Sequence, residues 1–129
     1  MKLVQVTMAA CLAAVCVIGA VGVSKAADKP KYTISDVMKK ALKGGPKSLN
    51  GKVAAGKASD DEKKLLVEMY ESMAAQKPPK GSDESWKKFA GALVTAAKDA
   101  KEDKEGAAAA LKKASNCTAC HDAHKGEDK

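Results

Sequence analysis

The 129-residue chain predicts an all-α fold, an antiparallel four-helix bundle, on three observations. Apolar residues recur at helical spacing in three long stretches and one weaker N-terminal stretch. The connections between them are short and rich in Gly, Pro and Lys, which suits antiparallel neighbours. Nothing reads as a strand.

The first residues predict an address rather than a fold. Lys2 gives a positive start, residues 3–23 carry no charge, and Ser24-Lys25-Ala26 offers small residues where signal peptidase reads. Residues 1–26 are expected to be a signal peptide cleaved after Ala26, leaving residues 27–129 as one domain. The uncharged run is also long enough to span a bilayer, so a retained anchor is the alternative. Cys11 and Cys16 read as apolar filler within it.

In the mature chain Thr33, with Asp36 three residues on, opens a first helix. Ile34, Val37, Met38, Ala41 and Leu42 share one face, and Gly44-Gly45-Pro46 ends it. Residues 47–57 are the least regular part; Leu49 and Val53 suggest a short helix ended by Gly56, with a lysine-rich loop as the alternative. Ser59 with Glu62 is a capping box, and Asp60 and Asp61 suit the positive helix end. Leu65, Leu66, Met69, Tyr70 and Met73 form the next stripe. Lys77-Pro78-Pro79-Lys80-Gly81 breaks the chain before Ser82 caps a third helix, whose apolar face runs Trp86, Phe89, Ala90, Leu93, Val94, Ala97. After a charged turn over 99–106, Ala107, Ala110, Leu111, Ala114, Cys117 and His121 are expected on one face of a last, continuous helix.

That helix ends in Cys117-Thr118-Ala119-Cys120-His121, a Cys-x-x-Cys-His pattern. The spacing is that of c-type haem attachment: two thiols each add across one porphyrin vinyl group, and the adjacent imidazole binds the iron. A redox Cys-x-x-Cys usually opens a helix after a strand, which is missing here. A zinc site would need Cys117, Cys120, His121 and His124 to surround a tetrahedral metal from one helical stripe, which they cannot easily do. One haem c held by Cys117 and Cys120, with His121 as proximal iron ligand, is therefore the expectation. His124, three residues from His121 on the same helix, cannot reach the opposite ring face.

Composition agrees. The mature chain keeps only four aromatics, Tyr32, Tyr70, Trp86 and Phe89, a thin core that a buried porphyrin would fill out. Without Lys2 and Lys25 its 21 cations exceed 16 anions by five, and every cation is lysine. Missing arginine forks and scarce aromatics argue against nucleic acid. Lysine patches suit steering of an acidic redox partner. No Ser/His/Asp constellation or second metal site suggests an enzyme.

An exported helical chain of this size with its Cys-x-x-Cys-His near the C-terminus resembles the class II cytochromes c, the four-helix-bundle family of cytochrome c′ and its low-spin relatives. The resemblance covers residues 33–125. It is most specific at Trp86-x-x-Phe89 with Leu93 to Ala97, and from Asn116 through the motif to Asp122 and Lys125. The chain departs from the pattern in a clipped first helix, in His124-Lys125 at the usual aromatic-plus-basic ending, and in lacking the usual first-helix arginine, which leaves Lys39 or Lys40 for the haem propionates. The resemblance implies two activities. A methionine from the first helix, at the position of Met38, would ligate the iron's distal side and favour electron transfer in the periplasm; Met69 and Met73 are further candidates on the second helix. An empty, apolar distal side would instead favour binding nitric oxide or carbon monoxide. It also implies homodimerisation. A third class of function, outside the resemblance, is a helical interaction protein with a structural disulfide.

Overall fold

The structure, a computed structural model, describes residues 29–126. The expected signal segment, with Cys11 and Cys16, lies outside them. The described chain is all-helical, with α1 (Ile34–Val37), a π-helical turn (Met38–Leu42), a 3₁₀ turn (Gly45–Lys47), α2 (Leu49–Ala54), α3 (Asp60–Ala74), α4 (Asp83–Lys101), α5 (Ala107–Ala114) and α6 (Cys117–His124). No described helix is long and apolar enough to cross a membrane.

The start signals work as the side-chain chemistry dictates. Thr33 and Asp36 at α1, and Ser59 and Glu62 at α3, form full capping boxes. Each hydroxyl accepts from the backbone N–H three residues on, and each carboxylate accepts from the cap's own N–H. Ser48 caps α2, and Ser82 caps α4.

The long pair α3 and α4 forms the centre of the core. Leu66, Tyr70 and Met73 of α3 are fully or nearly fully buried, as are Trp86, Ala90, Leu93 and Ala97 of α4. Four buried alanines on α4 (Ala90, Ala96, Ala97 and Ala100) present little side chain and let neighbours approach closely. α1 packs on α3, α2 on α3 and α5, and both α5 and α6 on α4. Gly51 permits α2 to lie against the 3₁₀ turn: a Cβ there would stand 2.8 Å from the Pro46 backbone.

Two elements differ from the sequence expectation. The first helix carries its expected face, with Val37 and Ala41 buried, but widens after Val37 into the π turn, where Lys43 N–H donates to Met38 C=O at 2.8 Å. The last helix is not continuous. Ser115 ends α5, and the Asn116 side chain accepts from Ala119 N–H at 3.2 Å to start α6 afresh. Asn competes for backbone donors and so favours a cap over a helix interior. Of the expected shared face only Ala107 and Leu111 are buried; Cys117 and His121 belong to a separate, turned segment.

Candidate functional site

The break before α6 makes Cys117 the first residue of a helix, and one turn then places Cys120 and His121. Cys117 is exposed, with its thiol 3.7 Å from the Ser115 carbonyl, whereas Cys120 is half-buried and packs against the core. Burial, and secondarily the Cys117 thiol, pushes the Cys120 thiol above the ordinary 9.0. No bond joins the two sulfurs. His121 is exposed, and none of the hydrogen bonds or ion pairs found among the described residues uses its ring.

All three face a groove between α6 and the first helical segment. One half, about 290 Å³, is lined by Cys117, Cys120 and His121 against Met38, Leu42 and Leu93. The other half, about 520 Å³, is lined by Cys120 and His121 against Ile34, Met38 and Trp86. The halves share Met38, Lys39, Cys120 and His121, and their sizes suit a small-molecule or cofactor site. Met38 thus stands with the motif, half-buried and packed partly on the core. Met69 and Met73 do not: both are closed within α3's buried face and line neither half.

The groove walls are apolar and their charges are of one sign. Lys39, Lys43, Lys77 and Lys125 line it, and no carboxylate does. Lys39 borders both halves, while Lys40 extends over the Tyr32 ring, its ammonium 5.9 Å from the centroid. Of the two lysines suggested for propionates, only Lys39 borders the groove. A porphyrin has apolar faces, two vinyl edges and two carboxylates. The donor set here (two thiols, an imidazole, a thioether and lysines around apolar walls) fits such a group. Among the described residues no three His, Cys, Asp or Glu side chains gather where they could hold a bare metal ion.

A buried hydrogen-bond chain supports the motif from behind. Tyr70 donates to Asn50 Oδ1 at 2.7 Å, and Asn50 Nδ2 donates to Ser115 Oγ at 3.2 Å. It joins α3, α2 and the α5–α6 break two residues before Cys117. Burial, then the proximity of Cys117, raises the Tyr70 phenol well above its ordinary 10.0, so it remains a donor throughout the neutral range.

Sequence reasoning missed this chain, because Asn50 lies in the irregular stretch where nothing marks a buried polar residue. It also missed the setting of His124, weighed there as a metal donor and as part of the His124-Lys125 ending. The residue is 2% exposed and its ring is held on both nitrogens.

Comparison with family models, curated proteins and solved structures finds no match.

Proposed function

We propose that the chain is a monohaem c-type cytochrome that carries electrons in the periplasm, as its resemblance to the class II cytochromes c implies. The observation that carries this is the convergence of Cys117, Cys120, His121 and Met38 on one apolar groove, because the first three stand at the opposite end of the chain from Met38 and only folding brings them together. On this reading Cys117 and Cys120 hold one haem c through thioether bonds, His121 is the proximal ligand and Met38 the distal one. Bound haem supplies a one-electron iron couple, and His/Met ligation sets it at a high potential with little rearrangement on transfer. The protein's part is to orient the imidazole, to keep water from the iron with Leu42, Leu93 and Trp86, and to offer Lys39 to the carboxylates. The all-helical order fits a four-helix bundle if α1 with its π turn counts as the first helix and α5 with α6 as a broken fourth.

The partner is proposed to be a protein with an acidic face. Lys31, Lys52, Lys63, Lys98 and Lys104 are neutralised by carboxylates at 2.6 to 3.0 Å, on the side of α2, α3 and α4. Lys39, Lys43 and Lys77 at the groove have no ion pair among the described residues. Uncompensated charge at a site of electron exchange steers an oppositely charged partner. Export and homodimerisation enter the proposal through residues 1–26 and the resemblance respectively.

A second reading, a five-coordinate haem that binds nitric oxide or carbon monoxide, is favoured by one detail: Met38 also packs on the core, and held there it would leave the distal side open. The visible spectrum of the oxidised haem protein separates the two. Electron carriage predicts the near-red band of a methionine-sulfur-to-iron bond, lost in Met38→Ala. A high-spin spectrum with rapid carbon monoxide binding in the unaltered protein would replace it with the second reading. A band that survives in Met38→Ala would remove Met38 from the ligand set.

A further inference from the structure

His124 is the only buried side chain of α6. Its Nδ1 lies 2.8 Å from the Lys80 carbonyl, which can only accept, so Nδ1 carries the proton and donates. Its Nε2 lies 2.9 Å from Ser85 Oγ and, in the neutral ring, accepts the hydrogen bond that the hydroxyl donates. The edges of Trp86 and Phe89 complete the seat, with ring centroids 5.4 and 5.7 Å away and interplanar angles of 75°. The opposing loop is shaped around the ring. Gly81 has φ +85°, and a Cβ there would come within 2.6 Å of the Ala123 carbonyl and 2.7 Å of His124 Nδ1. Just beyond α6, Gly126 passes so close to Pro79 that a Cβ would meet it at 3.1 Å.

The rest of α6 is held lightly: Cys117 and His121 are exposed, and Cys120 is half-buried. Residues three apart lie on neighbouring lines of a helix, so whatever fixes the azimuth of residue 124 fixes that of residue 121. We propose that His124 is a positioning residue: clamped to Lys80, Ser85, Trp86 and Phe89, it sets the rotation of α6 and thereby the direction in which His121 enters the groove. This rests on the reading of His121 as iron ligand. The clamp itself does not, and can be measured without haem.

The test compares His124→Phe, which keeps a ring but loses both hydrogen bonds, with His124→Asn, whose Nδ2 can restore the donor to Lys80. Gly81→Ala disturbs the same contact from the other side. In the full-length haem-free protein, amide exchange within α6 should quicken about tenfold in His124→Phe and Gly81→Ala, with that of α3 unchanged, and recover partly in His124→Asn. In the haem-loaded protein the same two variants should shift the reduction potential and weaken the near-red band, again with partial recovery in His124→Asn. Unchanged α6 exchange, or an equal quickening of α3, would overturn the clamp. Quickened α6 with an unmoved potential and spectrum would overturn the positioning of His121. Failure to incorporate haem at all would count against the ligand reading and leave the exchange result to decide the clamp.

Discussion

His121 and His124 stand three residues apart on one eight-residue helix and live in opposite surroundings. His121 is exposed at the mouth of a groove, with its ring nitrogens engaged by no described residue. His124 is buried, with a fixed tautomer, a carbonyl on one nitrogen, a hydroxyl on the other and two aromatic edges around it. An imidazole whose two nitrogens are both satisfied by the protein is a fastener. One left open beside two thiols is available for chemistry. The same residue type, one helical turn apart, divides into a held ring and an open one by its partners alone.

The sharpest way to break this contrast is to truncate each ring. His124→Ala removes a packed ring and leaves the Lys80 carbonyl and Ser85 hydroxyl without their partner, and should cost roughly 2–4 kcal/mol of unfolding free energy. His121→Ala in the haem-free protein should stay within about 0.5 kcal/mol, as an exposed side chain does. Urea denaturation of both variants measures the difference; equal losses would erase it. Tyr70→Phe comes next. It deletes the donor to the buried Asn50 and should cost about 1–3 kcal/mol by the same assay. Ser59→Ala, remote from both histidines, removes only the α3 cap and should cost about 1 kcal/mol, a baseline against which the site variants are read.

A weaker contrast separates the thiols. Because burial raises Cys120, less of it is thiolate at neutral pH, so in the haem-free protein iodoacetamide should label Cys117 first and reach Cys120 faster as pH rises. Smallest is the effect of acid on the caps. The Thr33 backbone N–H holds Asp36 below its ordinary 3.8, and the Lys52 ammonium, then the Ser59 N–H, holds Glu62 below 4.5. Lowered carboxylates stabilise the fold fully above their ordinary values and lose that contribution as pH falls through the lower, folded ones. The melting temperature should therefore decline below about pH 4 through these groups, and Asp36→Asn with Glu62→Gln should flatten that decline.

What could be read before the fold was known follows from how local each cause is. The caps at Thr33, Ser59 and Ser82, and the stripes from Val37 to Ala41, Leu66 to Met73 and Trp86 to Ala97, depend on neighbours within a turn or two. They stand as the pattern says. The motif at Cys117, Cys120 and His121 was legible as a spacing, and Met38 entered as a candidate through family resemblance; only the fold could bring the two to one groove. The break at Ser115-Asn116 rests on the Asn116 cap, whose local preference the alanine-rich helical pattern before it hides. The π turn after Val37 has no local signature. The seat of His124 is built by Lys80 and Ser85, 44 and 39 residues away, and so could not be read along the chain.

The proposed function stands on covalent attachment of haem at Cys117 and Cys120. Its most direct measurement is the intact mass of the protein purified under denaturing conditions from a host able to mature c-type cytochromes, alongside Cys117→Ser and Cys120→Ser. Covalent haem predicts a mass higher by one haem, no thiol left to alkylate in residues 27–129, and loss of stable attachment when both cysteines are replaced. A protein with no added mass, whose Cys117 and Cys120 both take up iodoacetamide or are joined to each other, would contradict it.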